Sequence, residues 1–147
     1  MARILLVHGP NLNILGLRNA KHYGFATLPD IEALVAAEAQ KVGYEVKAFQ
    51  SNHEGALIDF LQKESASAAG IIINAGALAH YSYTIYDALV DTKLPCIEVH
   101  LSDVTGREEW RKRSVLAPAC IGVVLGKKEQ GYAEAVLLLA EYLKKRT

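Results

Sequence analysis

The sequence predicts an α/β domain with a five-stranded, doubly wound parallel sheet and helices on both of its faces. Two observations lead there. Five short apolar runs alternate with longer stretches whose apolar residues recur at helical spacing, the order expected of strands separated by helices. Runs such as ILLV and GIII are apolar throughout rather than at every second position, so both faces of the sheet must be covered, as in parallel sheets. A length of 147 residues with 51% hydrophobic content suits one domain with its own core, so residues 1–147 are expected to form a single unit.

Taken in order, residues 4–8 (ILLVH) form the first strand, ended by Gly9-Pro10. Residues 28–42 follow as a helix, with Ile31, Leu34, Val35 and Ala39 on one face and Gly43 closing it. Residues 44–49 read as the second strand. Leu57, Ile58 and Leu61 mark the next helix, which runs out in SASAAG. Residues 70–74 (GIIIN) are a buried central strand, 82–90 a helix, 96–100 (CIEVH) a strand and 107–113 a short helix. The last strand spans 119–125, and an amphipathic helix over 132–145 closes the chain. No repeat, low-complexity tract or linker interrupts this succession. In one small domain it implies a flavodoxin-like arrangement, whose ligands bind beyond the carboxyl ends of the strands near a topological switch point.

That rule directs attention to the strand ends. The first strand ends in His8-Gly-Pro-Asn-Leu-Asn, the third in Asn74-Ala-Gly-Ala-Leu-Ala-His80, and the fourth in Glu98-Val-His100-Leu-Ser. Proton-capable and amide side chains therefore collect on one rim of the sheet. Glu98 and His100 are two apart in a strand and face the same side, so the carboxylate can orient the imidazole and keep it protonated. Such a pair suits a general acid for an expelled hydroxyl. Ser102 is a candidate N-cap after Leu101, with backbone N–H groups that would suit a carboxylate. His80 and Asn74 can hydrogen-bond substrate hydroxyls, and Arg107 and Arg111, four apart on their helix, can reach the same rim.

Residues 9–27 lack helical or strand periodicity, and loops of that length often act as lids. This one carries Arg18 and, five residues on, Tyr23. A free tyrosine, with a pKa near ~10, is a poor base at neutral pH. A nearby guanidinium favours its phenolate, which makes Tyr23 a candidate proton-abstracting base; alone, both residues would read as ordinary loop residues. His53 is expected to order the start of its helix, while His8 and His22 stay open.

Composition excludes several alternatives. The 16 basic and 16 acidic residues cancel, which leaves no bulk electrostatic footprint for nucleic acid. No His/Cys/carboxylate grouping has metal-ligand spacing, and the dinucleotide-binding glycine fingerprint and the P-loop are absent. Cys96 and Cys120 lie in apolar runs and read as small buried hydrophobes rather than disulfide partners. With no apolar run of signal-peptide or membrane-spanning length, the expectation is a cytoplasmic protein.

Together GPNLNILG-x-R…YG, QSNHEG, INAGALAHYS, EVHLSD, REEWR and QGY resemble the type II 3-dehydroquinate dehydratases, in that family's order and spacing over nearly the whole chain. The resemblance implies a flavodoxin-like hydro-lyase of the shikimate pathway, which leads to aromatic amino acids. Such an enzyme turns 3-dehydroquinate into 3-dehydroshikimate without cofactor or metal, and without the Schiff base of the type I enzymes. It also implies a dodecamer built from trimers. By the same resemblance, Tyr23 on a lid over about 16–25 removes a proton beside the ketone, and Arg18 favours its phenolate. Asn11 positions the water or donor that stabilises the enolate oxygen, and His100, supported by Glu98, protonates the departing hydroxyl. Asn74 with the amides of Leu101 and Ser102 holds the substrate carboxylate, His80 and Arg111 bind ring hydroxyls, and Asp87 reaches a neighbouring subunit's site. The chain departs from the family's usual pattern at His8, at Asn19-Ala20 in the lid, at Leu78-Ala79, at Tyr86 and over 103–106.

Two rival classes would each demand other residues. A signalling receiver would need an acidic cluster after the first strand and a phosphorylatable Asp after the third, where this chain has His8 and Asn74. A flavin module would need a hydroxyl-rich phosphate loop, and GPNLNILG has none. A scaffold that binds a shikimate-like acid without turnover is the nearer rival, and an assay for product separates it from an enzyme.

Overall fold

A computed structural model describes residues 1–146 of the chain. Five parallel strands, β1 (Ala2–His8), β2 (Tyr44–Gln50), β3 (Gly70–Asn74), β4 (Cys96–His100) and β5 (Gly122–Leu125), form one sheet in the order β2-β1-β3-β4-β5. The α-helices are α1 (Ala20–Tyr23), α2 (Leu28–Lys41), α3 (Glu54–Glu64), α4 (Tyr83–Thr92) and α5 (Gln130–Lys145). This is the flavodoxin-like order, with β1 and β3 adjacent at the switch point.

Strand alternation divides the core in two. Ile4, Leu6, Ile72, Ile97 and Val99 pack with Ile31 and Val35 of α2 and Val136 and Leu139 of α5. Leu5, Val7, Ile71, Ile73 and Cys96 pack on the opposite face with Leu57 and Leu61 of α3 and Ile85 and Leu89 of α4. Each such side chain contributes about 1.5–3 kcal/mol when fully buried. The same alternation places His8 beyond Leu6 on the α2/α5 face, and Glu98 and His100 beyond Cys96 on the α3/α4 face.

Helix ends follow their local chemistry. Thr27 and Asp30 form a reciprocal capping box at the start of α2, with bonds of 2.9 and 3.3 Å, and Ser82 caps α4 through Ile85 N–H. Gly43, with φ of 91°, turns the chain out of α2. His53 occupies the N-cap position of α3, but its side chain makes no capping bond.

Four expectations need correction. The segment 107–113 is not an α-helix: a 3₁₀ turn over Val104–Gly106 precedes it and a second, Glu109–Arg111, lies within it, with Arg107 and Arg111 each held by its own partner, Tyr23 and Glu108. Asp103, not Ser102, caps the first of these turns, through Thr105 N–H at 3.1 Å. The last strand begins at Gly122 rather than 119, because Pro118 lacks an N–H and lies in a 3₁₀ turn over Ala117–Ala119. The segment 9–27 is not structureless: it contains a 3₁₀ turn (Leu12–Ile14) and α1, the latter capped by Asn19 through Lys21 N–H at 2.9 Å. Cys96 is buried as expected, while Cys120 is half-buried.

The loops after β1 and β3 are pressed together. A Cβ on Gly9 would lie 2.3 Å from the Ala75 carbonyl oxygen, a backbone atom that cannot yield, so only glycine fits there. Among the described residues, no helix is long and apolar enough to cross a membrane.

Candidate active site

A cleft opens beyond the carboxyl ends of β1, β3 and β4, at the switch point. It collects Asn11 from the first loop, Asn74 and His80 from the third, and His100, Leu101 and Ser102 from the fourth. Arg18 and Tyr23 reach it from the segment around α1, and Arg107 and Arg111 from the two 3₁₀ turns. All the candidate residues therefore border it except Glu98, which lies behind His100, and Asp87, which is exposed on α4 and does not line its own chain's cleft. Among the described residues no group of three or more His, Cys, Asp or Glu side chains could hold a metal ion.

The hydroxyl of Tyr23 accepts from two guanidinium groups, Arg18 Nη2 at 2.8 Å and Arg107 Nη1 at 2.9 Å. Arg18 also stacks on the Tyr23 ring, 3.7 Å from its centroid, and Arg107 donates to Ser102 Oγ at 3.2 Å. An oxygen that receives two charged donors is set up to carry negative charge. Arg107 and Arg111 thus reach the cleft from separate turns rather than from one helical face. Arg111 pairs with Glu108 and lies over Trp110, 4.1 Å from its centroid.

His100 is buried at the end of β4, and its Nε2 bonds Glu98 Oε2 at 2.5 Å. That leaves Nδ1 as the ring nitrogen for a ligand. Glu98 is fully buried and has a second neighbour, the hydroxyl of Ser114. His80 stacks on His100 with centroids 5.9 Å apart and meets Trp110 edge-on. Its Nδ1 lies 2.8 Å from the Arg113 carbonyl oxygen. A carbonyl only accepts, so Nδ1 carries the proton; burial lowers the His80 pKa, and the neutral ring has Nε2 as an acceptor.

Asn74 is buried, with Nδ2 donating to Tyr132 Oη at 3.1 Å and Oδ1 accepting Gly76 N–H at 3.1 Å. One amide hydrogen remains for the cleft. Asn11 adopts the left-handed conformation, φ 71°, which asparagine tolerates. Its N–H donates to Asn52 Oδ1 at 2.9 Å, and Gln50 Nε2 donates to the same oxygen and to the Gly9 carbonyl, both at 3.2 Å. Asn52, Tyr132 and Ser114 were assigned no role by sequence reasoning. The QSNHEG and QGY motifs contain the first two and were signals that could have been followed; Ser114 carries none, being one serine among loop residues.

His8 ends β1 on the other face, fully buried, and neither ring nitrogen has a hydrogen-bond partner. Its Nε2 is 4.0 Å from Glu32 Oε1, beyond hydrogen-bond range. Burial pushes its pKa down to about 4, so the two do not form an ion pair at neutral pH. In the unfolded chain the imidazole binds a proton below about 6.5. Between these values the unfolded state holds more protons, so stability falls as pH drops through that window, by about 3 kcal/mol in all. His8→Asn is expected to flatten that decline, as read by urea unfolding at about pH 7 and about pH 4.5. An unchanged decline would show that His8 is not its source.

Residues 2–140 match the family described as Dehydroquinase class II. The chain is 52% identical over 134 residues to a 3-dehydroquinate dehydratase from Roseiflexus castenholzii, covering 91% of this chain and 85% of the relative. It is 44% identical over 143 residues to one from Clostridium acetobutylicum, covering 97% and 99%. The crystal structure of type II dehydroquinase from Propionibacterium acnes superimposes with a TM-score of 0.90 at 34% identity, over 96% of this chain and 97% of that one.

Proposed function

The chain belongs to the class II dehydroquinase family and is a hydro-lyase, and on that premise we propose that it dehydrates 3-dehydroquinate to 3-dehydroshikimate through an enolate, without a Schiff base. One observation carries the mechanism: Tyr23, its oxygen receiving Arg18 and Arg107, shares a cleft with the His100–Glu98 pair. A base and an acid are thereby held for the two ends of one elimination.

The Tyr23 phenolate takes the proton from the carbon beside the ketone, and the electron pair passes into the enolate. A water or donor positioned by Asn11 stabilises the enolate oxygen. The enolate then collapses, the carbon–oxygen bond breaks, and His100 delivers its Nδ1 proton to the departing hydroxyl, leaving as water. Return of the Tyr23 proton to solvent and reprotonation of His100 complete the cycle.

Asn74 and the amides of Leu101 and Ser102 hold the substrate carboxylate. The Nε2 acceptor of His80 and the guanidinium of Arg111 take ring hydroxyls. Residues of about 16–25, which carry Arg18 and Tyr23, act as the lid of a single catalytic domain. Asp87 serves the cleft of a neighbouring subunit in a trimer-based dodecamer, in keeping with its absence from its own. The exposed Tyr81, Tyr83 and Trp110 give such an assembly apolar surface to cover. As a member of the shikimate pathway the enzyme would work in the cytoplasm.

The test is direct. Added 3-dehydroquinate should yield the near-ultraviolet absorbance of a conjugated enone; a folded protein that forms no such product would refute the assignment.

A further inference from the structure

A buried carboxylate needs a partner for each oxygen, and Glu98 finds only one in His100. The other contact comes from the segment between the two 3₁₀ turns over Glu109–Arg111 and Ala117–Ala119. There Ser114 Oγ lies 2.8 Å from both carboxylate oxygens. The serine hydroxyl can accept two hydrogen bonds and donate one. Both acceptor positions are occupied, by the N–H groups of Leu116 and Ala117, each at 3.1 Å. Its single proton therefore has one direction left, towards Glu98.

The residues on either side are tied to the same site. The Arg113 carbonyl accepts His80 Nδ1–H, and Val115 N–H donates to the Ala79 carbonyl at 2.8 Å. Three successive residues thus brace the carboxylate behind His100 and the loop that carries the ring stacked on it. We propose that Ser114 is a positioning residue for the elimination, fixing the plane of Glu98 and so the imidazole that delivers the proton. This rests on the acid role given to His100 above.

Loss of the Ser114 donor weakens the stabilisation of Glu98 most when His100 is neutral, because the carboxylate then lacks its cationic partner. The pair should hold its proton more tightly and release it less readily. His80 and the Cys96 thiol face the pair, with Arg111 beside His80 and the Cys120 thiol beside Cys96; Ser114→Ala alters none of them.

The experiment compares kcat, KM and the pH profile of kcat for wild type, Ser114→Ala and Ser114→Thr. In Ser114→Ala, kcat should fall roughly 10–100-fold, the factor that one hydrogen bond to a charged group corresponds to. KM should stay within about twofold, and the alkaline limb should move to higher pH. Ser114→Thr, which keeps the hydroxyl, should restore both. An alanine variant with unchanged kcat and profile would overturn the proposal, as would a loss uniform across pH that threonine does not repair. If Ser114→Ala fails to fold, Ser114→Cys supplies a weaker donor of similar shape and should shift kcat and the limb in the same directions; an unmoved limb would count against the proposal. Wild-type protein that forms no enone would refute the elimination reading itself, a result distinct from either outcome for Ser114.

Discussion

Tyr23→Phe is expected to lower kcat by about 10²–10⁴-fold, the range of a lost general base. The substitution removes one oxygen and little else. The ring still stacks under Arg18, whose guanidinium carbon is 3.7 Å from the ring centroid, so lid packing should persist. What disappears is the atom that both Arg18 and Arg107 address. Those cations then face each other without the oxygen between them, so KM is expected to change modestly while kcat carries the loss. Steady-state kinetics with circular dichroism as a check on folding would test this; a kcat within about threefold of wild type would remove Tyr23 from the base role.

His100→Ala is the second large effect. It should reduce kcat over the same range of about 10²–10⁴-fold, and unlike Tyr23→Phe it should also destabilise the fold. Glu98 is fully buried, and the substitution leaves it with Ser114 alone. Breaking a buried pair by removing one partner costs about 3–5 kcal/mol. Glu98→Gln added to His100→Ala removes the stranded charge and should recover part of that stability, measured by urea unfolding, with no recovery of turnover. A double variant that regained activity would show that His100 is not the proton donor.

The sheet was legible because most of its strands are short apolar runs, and the two-residue period alone places Glu98 and His100 on one face. The carboxyl-end rule then pointed to the rim where Asn11, Asn74, His80 and His100 gather. What escaped detection depends on contacts distant in sequence or on competing local chemistry. Ser114 reaches Glu98 across 16 positions, and Asn52 holds Asn11 across 41; neither separation leaves a periodic trace. Arg107 and Arg111 looked like one helical face, yet each is drawn to its own partner, Tyr23 and Glu108, and two 3₁₀ turns resulted. Asp103 took the capping position expected of Ser102, whose hydroxyl instead accepts from Arg107. His8 was ambiguous because a histidine at a strand end serves equally on the cleft rim or in the core. Its place beyond Leu6 on the α2/α5 face put it in the core.

The central claim is that Tyr23 opens the elimination and His100 completes it. It is tested most directly by incubating 3-dehydroquinate with His100→Ala and with Tyr23→Phe in deuterium oxide, and weighing the recovered substrate by mass spectrometry. His100→Ala should form the enolate and return it, placing one deuterium on the carbon beside the ketone, whereas Tyr23→Phe should leave the substrate at the level of an enzyme-free control. Exchange by Tyr23→Phe, or none by folded His100→Ala, would contradict the assignment of base and acid.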